Sequence, residues 1–212
     1  MEPTRIIAVR HGETAWNIDA RLQGHIDIPL NDVGLHQARQ VAQALAHEPV
    51  DAIYSSDLLR AWGTAQAIAN TTGAPLFADP GMRERNCGTL QGLTFAEIEA
   101  QYPEKARLWR ERAPGFAPDN GESLIALRDR INASVARIAN KHGGALLVLV
   151  AHGGVLDMLY RAATGQGVQA PRTWKLTNGA INRLLWTSKG LSLVDWADTQ
   201  HLDTAGREET IT

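Results

Sequence analysis

Two uninterrupted apolar runs, each followed at once by a histidine and a glycine, constrain the fold of this chain most strongly. The first is Ile6-Ile7-Ala8-Val9, which precedes Arg10-His11-Gly12-Glu13. The second covers residues 145–151 and precedes His152-Gly153-Gly154. Continuous apolar runs are typical of strands covered on both faces, and ligands bind at the carboxyl edge of such parallel sheets. The pattern predicts that the two histidines meet at one sheet edge.

Segments with helical periodicity separate these runs from further short strands. The predicted strands cover residues 5–10, 51–55, 76–78, 145–151, 180–187 and 191–196. The predicted helices cover residues 31–47, 57–72, about 121–141 and a stretch after residue 152. Ser56 is expected to cap the second of these helices. Strands that alternate with helices in this way predict a single α/β domain over residues 1–197.

The regular alternation stops between about residues 81 and 120, where prolines and glycines are frequent. A segment of this length is too long for an ordinary loop, so we expect a cap region, about 85–120, that covers a site. Residues 198–212 are polar and are expected to form a mobile tail.

The composition narrows the range of partners. The chain has 212 residues, a formal net charge of -2 and 21% charged residues, without a basic stripe or a polybasic segment. A small soluble ligand is therefore favoured over nucleic acid or a membrane. The first strand begins by about residue 5, which leaves no room for a signal peptide, so a cytoplasmic location is expected. Cys87 is the only cysteine, which excludes an intramolecular disulfide and a cysteine-ligated zinc site.

Arg10 beside His11 points to chemistry on an anion. A guanidinium suits phosphate or carboxylate, and an imidazole with one nitrogen held as a donor leaves the other free as a nucleophile. Arg60 lies in the first turn of a helix that follows a strand, so its side chain can reach the same sheet edge. Each has an ordinary alternative: a solvated turn for Arg10 and His11, and an i,i+3 ion pair with Asp57 for Arg60.

Loop positions complete the candidate site. Glu84 lies in a turn-rich stretch among arginines, where the alternative is a solvated carboxylate. Asn17 and the pair Gln23-Gly24 follow the first strand, and their alternative is ordinary turn chemistry. The remaining histidines are expected at the surface or at helix ends; they are His25, His36, His47, His142 and His201.

Five fragments, in chain order, resemble the histidine phosphatase superfamily, which includes the cofactor-dependent phosphoglycerate mutases. The fragments are Arg10-His11-Gly12-Glu13-Thr14-Ala15-Trp16-Asn17, Arg21-Leu22-Gln23-Gly24, Ser55-Ser56-Asp57-Leu58-Leu59-Arg60-Ala61, Met82-Arg83-Glu84 and Val150-Ala151-His152-Gly153-Gly154. The resemblance implies a phosphoglycerate mutase-like fold, a three-layer αβα sandwich with a mostly parallel central sheet of about six strands.

The resemblance also implies a reaction. His11 attacks a phosphoryl group and becomes a phosphohistidine, and the charge on the phosphoryl oxygens is stabilised by Arg10, Arg60 and His152. The attacking nitrogen of His11 must be unprotonated, so its other N–H is expected to be held by a backbone carbonyl. Glu84 protonates the leaving oxygen and then activates water, a double role that calls for a carboxyl pKa raised toward neutrality.

The other implied contacts are to the substrate. The resemblance implies that seven residues contact the phosphate or the substrate. They are Arg10, Asn17, Gln23, Gly24, Arg60, Glu84 and Gly153. The resemblance implies no metal, because guanidinium and imidazole donors supply the positive charge.

Phosphatases and mutases share this core, so the resemblance leaves the reaction open. The short segment with Arg107, Arg110 and Arg112, followed by Gly121-Glu122-Ser123, resembles the compact phosphatase branch more than the longer mutases. A metal-independent phosphatase of a small phosphomonoester is favoured. The alternatives are a phosphoglycerate mutase primed by 2,3-bisphosphoglycerate and a non-catalytic phosphate-binding module. The natural substrate and the oligomeric state, monomer or homodimer, stay open.

Overall fold

A six-stranded sheet forms the centre of the structure, a computed structural model that describes residues 2–203 and 206–208. Its strands are β1 (Thr4–Arg10), β2 (Ala52–Ser55), β3 (Leu76–Ala78), β4 (Leu146–Ala151), β5 (Ile181–Thr187) and β6 (Gly190–Asp198). They lie in the order β3-β2-β4-β1-β5-β6, in which the first four are parallel and β5 and β6 are antiparallel to their neighbours. The predicted sheet of about six mostly parallel strands is confirmed.

Four of the seven helices in the described residues cover the two faces of this sheet. The seven helices are α1 (Ala15–Ile18), α2 (Asp32–Ala44), α3 (Leu59–Thr72), α4 (Phe95–Gln101), α5 (Pro103–Arg110), α6 (Leu124–Lys141) and α7 (Gly153–Thr164). Residues of α2 and α3 share one core cluster with the sheet, and residues of α6 and α7 share the other. None of the helices in the described part of the chain has both the length and the apolar character needed to span a bilayer.

The packing of strand β1 on both of its faces explains why its apolar run is continuous. Ile6 and Ala8 pack into the cluster with α6 and α7, while Ile7 and Val9 pack into the cluster with α2 and α3. Successive side chains of a strand point to opposite faces, so a strand covered on both faces needs apolar residues throughout. Burying each large aliphatic side chain contributes roughly 1.5–3 kcal/mol, which favours this central position for the most apolar strands.

The start of α3 corrects one sequence prediction. Its N-cap is Leu58, which makes no side-chain cap hydrogen bond, and the helix begins at Leu59 rather than at residue 57. Ser56 is fully buried and its hydroxyl lies against His152 of the candidate site. The prediction that Ser56 caps the helix is therefore wrong, because the hydroxyl faces the sheet edge rather than the amides of the first helical turn.

The irregular segment before α6 forms a structured cap at the carboxyl edge of the sheet. It consists of two short 3-10 turns, helices α4 and α5, and a small core of its own, which contains Leu22, Cys87, Leu90, Ile98, Ala106 and Trp109. It is tied to the loop after β1, where Leu22 N donates to Leu93 O at 3.0 Å and Arg21 Nη1 donates to Gly92 O at 2.7 Å. This packing holds the cap beside the ends of β1 and β4.

Part of the predicted tail also lies at this edge. Strand β6 extends through Asp198, and Arg207 and Glu208 further along contact the loop before β5. Asn178 N donates to Arg207 O at 2.9 Å, and Leu176 N donates to the carboxylate of Glu208 at 2.8 Å. Arg207 Nε donates to Glu13 Oε2 at 2.6 Å. The tail positions 204, 205 and 209–212 lie outside the described residues.

Candidate active site

His11 and His152 lie side by side at the carboxyl edge. In the parallel pairing of β1 with β4, Arg10 lies opposite Ala151, so the next residue of each strand is a histidine. The two ring centroids are 5.2 Å apart in an edge-on arrangement, and both side chains are buried. His11 N donates to Ala151 O at 3.0 Å, and Asn178 Nδ2 donates to His11 O at 2.9 Å. The sheet register and these bonds fix the position of the His11 backbone.

The imidazole of His11 is held with one nitrogen as a donor. Its Nδ1 is 2.6 Å from Gly12 O, and a carbonyl can only accept, so Nδ1 carries the hydrogen and Nε2 has a free lone pair. Burial lowers the pKa of His11 well below its usual value, and the charges of Arg60 and Arg10 lower it further. At neutral pH the ring is therefore unprotonated at Nε2. The expected hold by a backbone carbonyl is confirmed, and the carbonyl is that of Gly12.

Arg10 and Arg60 are each only 1% exposed and line the same pocket as His11. Arg10 Nη1 donates to Leu176 O, and Arg60 donates to Ile26 O at 3.0 Å and to Gly24 O at 2.8 Å. Burial lowers the pKa of Arg60 to about 10, so its guanidinium stays charged at neutral pH. These carbonyl contacts fix the orientation of both guanidinium groups in advance of any ligand.

The alternative ion pair between Arg60 and Asp57 does not form. Asp57 pairs instead with Arg83, whose Nε and Nη2 lie 2.7 and 2.6 Å from its two carboxylate oxygens. This pairing lowers the pKa of the Asp57 carboxyl, and it leaves Arg60 facing the pocket.

Glu84 enters the pocket from the loop after β3. Its carboxylate accepts two backbone hydrogen bonds, from Arg85 N at 2.7 Å and from Gly154 N at 3.0 Å. The loop itself is held by Arg130 of α6, which donates to Gly81 O at 2.8 Å, to Arg83 O at 2.9 Å and to Glu84 O at 3.2 Å. Glu84 is thus positioned by α6 on one side and by the N-terminus of α7 on the other.

The other predicted contact residues line the same pocket; they are Asn17, Gln23, Gly24 and Gly153. Asn17 Oδ1 accepts from Thr14 N at 3.0 Å within a capping box, which orients its amide. Gly24 has a φ of 51°, in the left-handed region that favours glycine. The structure therefore brings together all the predicted site residues, most of them in the lining of the pocket and His152 buried beside it.

The sequence reasoning missed the outer part of the pocket. This part includes Arg85, Trp109, Arg112, Asp157, Arg172 and Glu208. The whole cleft encloses about 840 Å³, including its open mouth. Arg112 donates to Asp157 Oδ2 at 2.6 Å and to Val168 O at 2.9 Å, and it has a φ of 51° although it is not a glycine. No local pattern distinguishes these residues from surface charges, because their partners lie far away in the chain.

His25 also differs from its sequence prediction. The sequence predicts it at the surface or at a helix end, but it is half-buried, and its Nε2 lies 2.8 Å from Glu84 O. Burial lowers the pKa of His25. The ring contacts the backbone of the Glu84 loop rather than the carboxylate, so it helps to support that loop.

Gly154 offers a direct test of the Glu84 position. A Cβ on Gly154 would clash with Glu84 Oε1, so Gly154→Ala must displace the carboxylate. We expect kcat/KM to fall about 100-fold, as for displacements of about 1 Å in other active sites, with the melting temperature little changed. The matched control is Gly167→Ala, since a Cβ there meets no atom within 4 Å. Full activity of Gly154→Ala would show that the observed Glu84 position is not required.

A sequence model of the histidine phosphatase superfamily (branch 1) matches residues 6–199, nearly the whole chain. The protein belongs to the histidine phosphatase superfamily.

The relatives of this chain include phosphatases and also a mutase-like protein. An Arabidopsis thaliana protein named metal-independent phosphoserine phosphatase is 40% identical over 209 residues, which cover 97% of this chain and 86% of that protein. Phosphoglycerate mutase-like protein 4 of the same organism is 39% identical over 205 residues, covering 95% and 88%. The solved structure of a mycobacterial glucosyl-3-phosphoglycerate phosphatase is 30% identical, with a TM-score of 0.84 over 93% of this chain and 100% of that one. The protein is an enzyme of the histidine phosphatase type, a class that contains phosphatases and phosphoglycerate mutase-like proteins.

Proposed function

We propose that the protein is a metal-independent phosphatase that hydrolyses a small phosphomonoester through a phosphohistidine on His11. The observation that carries this proposal is the state of His11: its Nδ1–H is held by Gly12 O at 2.6 Å, so Nε2 is an unprotonated nucleophile in a pocket that two buried arginines also line. An imidazole next to cations is ordinarily a weak base, but it remains a competent nucleophile toward a phosphoryl group that those cations bind.

The first step transfers the phosphoryl group to the enzyme. The lone pair of His11 Nε2 forms the N–P bond while the bond between phosphorus and the ester oxygen breaks. Arg10, Arg60 and an N–H of His152 stabilise the charge on the three remaining oxygens. The carboxyl group of Glu84 gives its proton to the leaving oxygen, and the alcohol departs.

The second step hydrolyses the phosphohistidine. Glu84, now a carboxylate, takes a proton from water, and the water oxygen attacks phosphorus. The N–P bond breaks, its electron pair returns to His11 Nε2, and inorganic phosphate leaves. The hydrogen bonds from Arg85 N and Gly154 N hold the carboxylate in place for this step. Bound phosphoryl oxygens are expected to favour the protonated form that the first step needs.

The chain's own cations take the place of a metal in this proposal. Arg10 and Arg60 supply fixed positive charge where phosphoryl-transfer enzymes of other families use Mg²⁺. The name of the relative at 40% identity, metal-independent phosphoserine phosphatase, supports the same interpretation. A mutase would need 2,3-bisphosphoglycerate as primer to keep His11 phosphorylated, and this alternative is favoured by the mutase-like relative at 39% identity.

We further propose that the alcohol part of the substrate carries a carboxylate. The outer pocket contains the buried guanidinium of Arg112 and the side chain of Arg172. Burial lowers the pKa of Arg112, its ion pair with Asp157 raises it, and nearby Arg161 and Arg172 lower it. An arginine that lies beside two other guanidinium groups suits the binding of a carboxylate. The names of the two plant relatives, a phosphoserine phosphatase and a phosphoglycerate mutase-like protein, refer to carboxylated compounds.

One set of assays tests the reaction and the substrate class together. We expect stoichiometric release of inorganic phosphate, with kcat/KM for O-phosphoserine about 10- to 100-fold above that for phosphoethanolamine, which lacks only the carboxylate. Interconversion of 2- and 3-phosphoglycerate, with and without 2,3-bisphosphoglycerate, is measured in parallel. Interconversion without free phosphate would establish the mutase instead. Equal hydrolysis of the matched pair would refute the carboxylate subsite alone.

The location, the partners and the oligomeric state expected from the sequence are also proposals. A cytoplasmic enzyme for a small metabolite, without nucleic acid or membrane as partner, fits the near-neutral net charge of -2. Sedimentation velocity distinguishes a monomer from a homodimer.

A further inference from the structure

In the described part of the structure, His152 has a buried ring nitrogen without a hydrogen-bond partner. The residue has 0% exposure, and the unpartnered nitrogen is Nδ1. Its other ring nitrogen, Nε2, lies 2.8 Å from the hydroxyl of Ser56, which is equally buried. Buried polar atoms without partners are rare in proteins, and one that lies beside a nucleophile is expected to have its partner in the bound ligand.

The surroundings of Ser56 decide which way the hydrogen bond to His152 runs. The Ser56 hydroxyl oxygen is also near Leu58 N, at 3.3 Å, and an amide can only donate. This contact uses the oxygen as an acceptor, and among the described residues the hydroxyl hydrogen then has one further hydrogen-bond neighbour, His152 Nε2. A hydrogen on Nε2 would instead leave the serine hydrogen without an acceptor in this part of the structure. The arrangement that uses every buried donor is therefore Ser56 Oγ–H to His152 Nε2.

We propose that Ser56 is a positioning residue that fixes His152 as the tautomer with its hydrogen on Nδ1, ready to donate to the transferring phosphoryl group. The proposal rests on the phosphoryl-transfer function given above. The opposite tautomer would turn a lone pair of Nδ1 toward the phosphoryl oxygens, where it would repel them. Ser56 thus acts through His152 and does not itself contact the substrate.

Burial keeps the ring in the state that this arrangement needs. Burial lowers the pKa of His152 well below its usual value, and Arg60, His11, Arg10 and His25 lower it further. A neutral ring has only one N–H, so the choice of tautomer decides whether His152 donates or accepts at Nδ1.

The first test reads the tautomer directly and does not depend on activity. In ¹⁵N NMR spectra of the phosphate-free protein at neutral pH, we expect a protonated-type Nδ1 and an unprotonated-type Nε2 for His152. Its signals are identified by their loss in His152→Gln. In Ser56→Ala we expect the hydrogen to shift toward Nε2. A wild-type ring with its hydrogen on Nε2 would refute the proposal, whatever the enzyme's reaction proves to be.

The second test is a double-mutant cycle on the activity. Ser56→Ala should reduce kcat about 10- to 100-fold, less than complete removal of an oxyanion donor, with a smaller change in KM. In a His152→Gln background the same substitution should have almost no further effect on kcat, because the group it orients is gone. Equal losses in both backgrounds would overturn the proposal.

Ser55→Ala is the matched control for folding. Ser55 is also fully buried, but its hydroxyl donates to the Ser56 carbonyl at 2.8 Å, whereas the hydroxyl that hydrogen-bonds to His152 is that of Ser56. We expect Ser55→Ala to keep the wild-type tautomer and kcat. A kcat loss in Ser55→Ala equal to that in Ser56→Ala would assign the effect to packing.

Discussion

Replacing His11 with alanine is expected to lower kcat by about 10⁵-fold or more, as removal of the nucleophile does in other enzymes with covalent intermediates. The phosphoryl group has no other acceptor in the proposed mechanism, because His152 has its Nε2 against Ser56 at 2.8 Å. The measurement is phosphate release from p-nitrophenyl phosphate and from O-phosphoserine. Circular dichroism and thermal melting establish that the variant folds.

A trapping experiment identifies the acceptor atom itself. Acid-labile, base-stable labelled phosphate should remain on the wild-type protein after rapid quenching with base, and none should remain on His11→Ala. The matched control is His36→Ala, since that side chain is about half exposed and pairs only with Asp203 in the described structure. Label on His11→Ala at the wild-type level would refute the assignment of the nucleophile. Absence of label from the wild type, together with absence of turnover, would favour a non-catalytic phosphate-binding module.

Glu84→Gln is expected to lower kcat for alkyl phosphates by about 10²- to 10⁴-fold, because the amide cannot give a proton to the leaving oxygen. The loss in the first step should be much smaller for p-nitrophenyl phosphate, whose leaving group departs without a proton. With that substrate the variant should release a burst of nitrophenol and then accumulate phosphohistidine, since water activation is also impaired.

A comparison of the two kinds of substrate distinguishes the loss of proton transfer from a displacement of the Glu84 side chain. Only the loss of proton transfer depends on the leaving group. The carboxylate of Glu84 accepts from Arg85 N and Gly154 N, and the Glu84→Gln substitution sets an amide NH₂ against one of these two donors, which favours a shifted side chain. If the shift of the side chain alone caused the loss, both classes of substrate would be slowed equally, and that result would contradict the proposed role in proton transfer. Glu104→Gln, which changes an exposed partner of Arg107 on α5, is the matched control and should have wild-type activity.

The core of the site could be predicted because its residues follow strong local signals. His11 and His152 come directly after the two most continuous apolar runs, and such runs become neighbouring central strands. Arg60 lies in the first turn after a strand and therefore reaches the same edge. Glu84 was placed by resemblance rather than by periodicity, because its loop has no regular pattern.

Other features could not be read from the sequence, since the same local signal permits two structures. A serine before a helix is a common cap, yet Ser56 contacts a histidine 96 residues away in the chain. Asp57 and Arg60 have the spacing of a helical ion pair, yet Asp57 pairs with Arg83 in the next loop. In both cases the partner comes from another segment of the chain. The buried sheet edge holds Ser56 against His152, and Arg83 makes two hydrogen bonds to the two carboxylate oxygens of Asp57.

The sequence by itself determined the alternation of strands and helices and the position of the two histidines at strand ends. These follow from periodicity and from residue types at strand ends, which are local properties. The class of reaction followed from the resemblance of five sequence fragments to the histidine phosphatase superfamily. Only the tertiary structure decided that Gly12 O is the partner of His11 Nδ1 and that Ser56 is the partner of His152 Nε2. It also decided the outer pocket around Arg112 and the contacts of Arg207 and Glu208 with the site. They depend on how the cap, α7 and the C-terminal residues pack on the sheet edge. That packing is set by burial and hydrogen bonding between distant segments, which no local pattern records.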